Sequence, residues 1–203
     1  MAVFSRSKLN TLNLEKDVAL SDSSLLNRMA RGDKASFDAL FYRHYDRVYG
    51  LLFRLVGDRA EAEDLTQEAF LKLFSRAASA QPVAFDENVG AWLYRVAMNL
   101  GYNAIRSRKR LWQRNVILLP TDEPGVESEV GRREERAAVR MTLSRLPERQ
   151  ALLLVLRQMN FSYSECAAIC EVAPSSIGTL LARAAKGFRR EYKIVTGRKG
   201  EEE

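Results

Sequence analysis

Apolar residues recur every three or four positions along most of the 203-residue chain, and almost no stretch alternates apolar with polar side chains. That is the period of amphipathic helices rather than strands. A helix is predicted from Ser21 or Asp22, either of which can cap it, carrying Leu25, Leu26 and Met29. Gly32-Asp33 punctuates, and the next helix lines up Phe37, Leu40, Phe41, Tyr45, Val48, Leu52 and Phe53 before ending near Gly57. Asp58 and Glu61 form a helix-start signal related to the capping box. A loop with Pro82 and Gly90 leads into a helix from Val89 to Arg110, and residues 136–192 are helical again. Breaks fall there at Leu146-Pro147, at Asn160-Phe161-Ser162 and at Ala173-Pro174. Residues 111–135, with Pro120, Pro124, Gly125 and Gly131, read as a linker. Residues 1–21 read as a loose arm and 193–203 as a charged tail. The expected fold is all-α: two small helical domains, a bundle over 22–110 and a helix-turn-helix over 136–192, joined by a flexible acidic linker.

Winding the predicted helices at ~100° per residue separates their faces. After Asp58, Ala62, Leu65, Thr66, Ala69, Phe70, Leu73 and Phe74 share one broad face. Glu61, Asp64 and Glu68 gather on the other, beside Gln67 and Leu71. Such a ridge is either a solvated face or a dock for a basic helix. In the next helix Trp92, Arg95, Asn99, Asn103, Arg106 and Arg110 fall within about 80° of one another, while Leu93, Val96, Ala97, Leu100 and Ala104 can enter a core. Arginine neutralises phosphate, asparagine offers paired donor and acceptor to base edges, and tryptophan stacks on an unstacked base.

Ser162-Tyr163-Ser164-Glu165 is a capping box opening a short helix, and Glu171-Val172-Ala173 is the turn after it. Pro174 suits the first turn of the helix that follows, where its missing N–H costs little. That helix buries Ile177, Leu180, Leu181, Ala184 and Phe188 and turns Ser175, Ser176, Thr179, Arg183, Lys186 and Arg190 the other way. Hydroxyls followed by cations suit the second helix of a helix-turn-helix in the major groove.

Charge sharpens this picture. The formal net charge is +6 and is sorted into blocks. Trp92 to Arg114 carries six basic residues and no acid, whereas Thr121 to Glu135 carries six acids against Arg132 and Arg133. Other chemistries lack their residues. His44 is the sole histidine, Cys166 and Cys170 are the only cysteines, and no glycine-rich phosphate loop or nucleophile elbow occurs. No enzyme, no metal site and no cofactor are therefore expected, and the two thiols read as buried structural groups. No run approaches the ~20 apolar residues of a membrane span. A cytoplasmic protein without membrane insertion is expected.

The residues resemble a known family. Asp64-Leu65-Thr66-Gln67-Glu68-Ala69-Phe70 and Trp92-Leu93-Tyr94-Arg95-Val96-Ala97-Met98-Asn99, with Arg106 through Arg110, are similar to the second conserved region of extracytoplasmic-function (ECF) sigma factors. Leu146-Pro147-Glu148, Phe161-Ser162-Tyr163-Ser164-Glu165 and Leu181-Ala182-Arg183-Ala184 resemble their fourth region. The resemblance implies a factor that binds bacterial core RNA polymerase and directs promoter recognition, DNA melting and initiation. Asp64, Gln67, Glu68 and Leu71 would dock on the β′ clamp helices, and the β subunit would also be a partner. Phe85 and Asn88, with Trp92, Arg95, Asn99, Asn103, Arg106 and Arg110, would take the -10 element. Ser175, Ser176, Thr179, Arg183 and Lys186 would read the -35 element, and an anti-sigma factor is an expected partner. The acidic linker would thread toward the polymerase active centre and RNA exit path. The alternative is a helix-turn-helix regulator that is not a polymerase subunit. Two departures from the family pattern stand out: Asn103, often an aspartate there, and Gly178 with Leu180, where a lysine and an arginine are usual.

Overall fold

The computed structural model describes residues 20–79, 88–114 and 127–197. Among the described residues the secondary structure is helical throughout, without a strand. The first domain comprises α1 (Asp22–Ala30), α2 (Lys34–Val56), α3 (Arg59–Ser79) and α4 (Val89–Arg114). The second comprises α5 (Glu127–Arg145), α6 (Glu148–Gln158), α7 (Tyr163–Cys170), a 3-10 turn (Pro174–Ser176) and α8 (Ile177–Val195).

Local chemistry sets the helix ends. The Ser21 hydroxyl accepts the Ser24 amide to open α1. Asp33 accepts from the Ala35 amide and the Ser36 hydroxyl to open α2, and pairs with Arg28 at 2.8 Å across the turn. Burial raises the Asp33 carboxyl, but the Ser36 hydroxyl, the Arg28 guanidinium and the two amides outweigh it and hold the group below the usual carboxylate range. α2 stops at Gly57, whose φ of 78° is left-handed and whose N–H donates to the Phe53 carbonyl. A side chain there would be strained by the backbone and would also push the Arg140 guanidinium aside, since a Cβ would lie 2.4 Å from Arg140 Nε.

Apolar stripes meet as the periodicity predicts. Leu25, Leu40, Val48, Leu52, Phe70, Leu73, Leu93 and Met98 are buried in the first domain. Leu153, Leu156, Cys166, Ile169, Ile177 and Ala184 are buried in the second. Phe74 shares the broad apolar face of α3, as its spacing predicts. It is 46% exposed at the border of that face and touches Phe37 edge-on, with ring centroids 5.6 Å apart.

The linker is shorter than expected. α4 continues past Arg110 to Arg114, and α5 begins at Glu127 within the stretch assigned to the linker. A single glycine, Gly131, costs a helix only ~1 kcal/mol, and acids in the first turn suit the helix dipole. Residues 115–126 of that linker, the loose arm up to Ala19 and the tail beyond Gly197 lie outside the described residues.

The two domains pack against each other. The Tyr102 hydroxyl, on α4, donates to the Leu143 and Leu146 carbonyls at 2.8 and 3.3 Å, tying α4 to the end of α5. Burial, the larger cause, and the Glu148 carboxylate raise the pKa of this phenol. Tyr94 and Phe161 meet edge to face at 5.0 Å. Arg54 Nε donates to Gln158 Oε1 at 2.7 Å, and Arg47 lies over the Phe161 ring and 3.8 Å from Glu165.

Candidate nucleic-acid and partner interfaces

On α3 the buried and exposed faces are cleanly divided. Ala62, Thr66, Ala69, Phe70 and Leu73 are buried, and the Thr66 hydroxyl is satisfied by the Ala62 carbonyl. Asp64, Gln67, Glu68 and Leu71 are all exposed. Leu71 is the most open large apolar side chain among the described residues, at 63%. Glu68 pairs loosely with Lys72 at 3.3 Å, which on an exposed helix is worth little. Glu61 leaves this ridge: its carboxylate pairs with Arg108, which also donates to the Val56 carbonyl and so ties α4 to α2 and α3. Sequence reading grouped Glu61 with the ridge because its partner lies 47 positions away.

α4 is preceded by Asn88, whose Oδ1 accepts the Ala91 amide at 2.9 Å. Asn88 is thus the helix cap, a role its position before Val89 could have suggested. Phe85 lies outside the described residues, as does the side chain of Arg110. Trp92 is half-buried, with the Arg76 guanidinium 5.0 Å above its ring. Asn99, Asn103 and Arg106 are exposed on one stripe, and Arg95 is half-buried beside them. The second domain covers the middle of this stripe. Arg95 donates to the Ala168 carbonyl and lies 3.3 Å from the Glu171 carboxylate; Arg106 lies over the Tyr102 ring and 3.9 Å from Glu148. Arg95, Asn99, Glu148, Arg149, Cys170 and Glu171 help to line a cleft of ≈ 270 Å³. Nothing in the local sequence announced these partners, which come from α6 and from the end of α7.

The helix-turn-helix is built as its signals imply. The Ser162–Glu165 capping box is closed by both of its bonds. Backbone and hydroxyl of Ser162, then Arg47, hold the Glu165 carboxyl below its usual range against a smaller effect of burial. Pro174 sits in the first turn of the 3-10 segment that leads into α8. Ser175, Ser176, Thr179, Arg183 and Lys186 are all exposed on one face. Leu180 and Leu181, expected in the buried stripe, are half-buried at its edge. Gly178 is exposed with nothing within 4 Å of where a Cβ would stand.

Cys166 and Cys170 are free and buried. Burial raises both thiols, Cys170 to about 11 with help from its neighbour Cys166. Neither is poised as a thiolate at neutral pH. Among the described residues no group of histidine, cysteine and carboxylate side chains could hold a metal, and no single helix is long and apolar enough to cross a membrane.

Sequence profiles agree with this division. Sigma-70 region 2 matches residues 40–111 and Sigma-70, region 4 matches residues 136–186. The chain is 32% identical over 173 residues to the ECF RNA polymerase sigma factor SigE of Mycolicibacterium smegmatis, spanning 80% of this chain and 65% of that one. It is 29% identical over 181 residues to the RNA polymerase sigma-H factor of Pseudomonas aeruginosa, spanning 82% and 91%.

The chain belongs to the ECF sigma factor family.

Its first domain corresponds to sigma region 2 and its second to region 4. As a sigma factor it binds RNA polymerase and directs promoter recognition and transcription initiation. The fold is also similar to that of CnrH in a complex with the cytosolic domain of CnrY, with a TM-score of 0.57 at 19% identity, covering 88% of this chain and 99% of that one.

Proposed function

We propose that three surfaces divide the work of initiation. The ridge of Asp64, Gln67, Glu68 and Leu71 docks on the basic β′ clamp helices of bacterial core polymerase. The α4 stripe of Trp92, Arg95, Asn99, Asn103, Arg106 and Arg110, with Phe85 and Asn88, receives the -10 strand. The α8 face of Ser175, Ser176, Thr179, Arg183 and Lys186 reads the -35 duplex. The observation that carries this reading is the exposure of Leu71 beside Gln67 and Glu68 on the side of α3 away from its buried residues. Leu71 sets an apolar side chain at the edge of an acidic ridge, a combination suited to a basic helical partner.

Separating the promoter strands costs stacking, ~1.4 kcal/mol per base-pair step. The stripe offsets that cost by neutralising phosphate through its arginines and by presenting amides and an indole to unpaired bases. None of these tasks needs a catalytic residue or cofactor in this chain. The β subunit and an anti-sigma factor complete the set of partners, and the cytoplasm, where the polymerase works, is the compartment.

Asp64→Arg combined with Glu68→Arg tests the docking site. Placing like charges against a basic helix costs several kcal/mol, so affinity for core polymerase should fall by about 100-fold or more. The circular dichroism spectrum should stay unchanged because both side chains are exposed. Unaltered co-migration with core polymerase would sink the proposed site.

A further inference from the structure

Aromatic rings run the length of α2 at every fourth position: Phe37, Phe41, Tyr45, Tyr49 and Phe53. Four residues of helix rise ~6 Å, and the Tyr45–Tyr49 and Tyr49–Phe53 ring centroids stand 6.1 and 6.0 Å apart with planes 6° and 7° from parallel. Because four residues also turn ~40° past a full circle, the row winds around the helix. It starts against the core, where Phe37 meets Phe70 edge-on at 6.5 Å. It then moves outward, and Tyr45, Tyr49 and Phe53 are each half-buried. Tyr42 and Phe74 widen the patch, at 40% and 46% exposure. Asp38, Tyr42 and Asp46 form a second line beside it at the same spacing. Burial raises the Asp38 carboxyl, and among the described residues no cation pairs with it or with Asp46. None of the surfaces assigned above uses these rings, and a contiguous apolar patch of this kind marks a contact site.

We propose that this aromatic row seats the chain's own N-terminal segment, residues 1–19, whose apolar side chains lie across the rings while Arg6 and Lys8 face Asp38 and Asp46. Composition supports this occupant. Val3, Phe4, Leu9, Leu12 and Leu14 fall within the first 14 residues, together with Arg6 and Lys8 and no acid. The stretch at the other end of the chain, Arg198 to Glu203, has no apolar residue at all. Position agrees with composition. The Leu20 carbonyl accepts from Arg43 Nη1 at 3.0 Å, so the segment joins the fold beside the middle of α2. From there 19 residues reach up to about 60 Å when extended, whereas Phe37 and Phe53 are ~24 Å apart along the helix axis. A tethered segment also binds at a high effective concentration, so modest contacts suffice to hold it. A second copy of the chain lacks that tether, and a two-fold interface would set the Asp38 and Asp46 carboxylates against their own copies. Neither the polymerase nor the DNA assignment enters this reading.

The test uses the full chain with a nitroxide label on Ser7→Cys, which the buried Cys166 and Cys170 leave as the accessible thiol. Paramagnetic broadening should be strong for the ring resonances of Tyr45, Tyr49 and Phe53 and absent for Tyr192 on α8. Adding Phe4→Asp, Leu9→Asp and Leu12→Asp together should abolish the broadening while the circular dichroism spectrum of the two domains stays the same. Binding of the dye anilinonaphthalene sulfonate, low for the full chain, should rise several-fold in that variant and in a chain lacking residues 2–18, because apolar surface is uncovered. Tyr49→Ser in the shortened chain should remove most of that rise. Broadening that is absent from the aromatic row overturns the proposal, as does dye binding that is the same with and without the segment. Sedimentation equilibrium should find a monomer. A dimer that survives loss of residues 2–18 and dissociates with Tyr49→Ser would give the row to a second copy and overturn the proposal as well.

Discussion

The two faces proposed to bind nucleic acid differ in a way their sequences do not reveal. Both are stripes of cations and small polar groups on amphipathic helices. The α8 face stands open, with every candidate contact from Ser175 to Lys186 exposed. The α4 face is covered at its centre by α6 and the end of α7, through Glu148, Glu171 and the Ala168 carbonyl. A surface that reads an intact duplex can stay exposed at little risk. The face proposed for unpaired strands carries an indole and partly desolvated arginines, and it lies against the neighbouring domain.

The comparison breaks most directly at Phe161, which is 4% exposed between Tyr94, Arg47 and the α7 cap. Phe161→Ala should cost about 3–5 kcal/mol and split thermal unfolding into two steps, with the region 2 bundle melting separately. A single shifted transition would mean that the domains do not depend on this contact for their coupling. A smaller change sharpens the other side. Gly178 has open space around it, so Gly178→Ala should stabilise α8 by about 1 kcal/mol. Duplex binding should respond little, and Arg95 should remain covered as judged by hydrogen exchange along α6 and α7.

The smallest effect is expected away from both faces. Burial raises the Asp22 carboxyl, but His44 and Arg43 outweigh it and hold the group below its usual value. Asp22 Oδ2 lies 2.6 Å from His44 Nε2 and ties α1 to α2. Because the folded pKa is depressed, this stability is present above the unfolded value near 3.8 and is lost as pH falls through the lower folded value. Asp22→Asn should therefore lower stability at neutral pH and flatten its decline below about pH 4 in acid titrations of the melting temperature. A steeper decline in the variant would reverse the assignment.

Much of the architecture was legible from short-range patterns. The Ser162–Glu165 capping box, the Gly57 stop, the buried stripe of α3 and the exposed face of α8 depend on residues within one or two turns of each other, and the expectations for them match the structure. Misplaced features involve distant partners or graded exposure. Glu61 was grouped with Asp64 and Glu68 but pairs with Arg108, Phe74 shares the broad face of α3 yet is 46% exposed, and α5 runs back through Gly131 into the stretch assigned to the linker. Asn88, expected among base contacts from the resemblance, also caps α4 through its side-chain oxygen.

The sequence by itself determined an all-α chain, two domains, an acidic ridge and two basic faces, because helical periodicity and capping are local. Only the tertiary structure decided which basic face is free. That choice rests on Glu148 and Glu171 reaching arginines on the other domain, and on aromatic contacts between Tyr94, Tyr102 and the second domain. Such pairings are set by how two helical surfaces fit, a property that no single stretch of residues encodes.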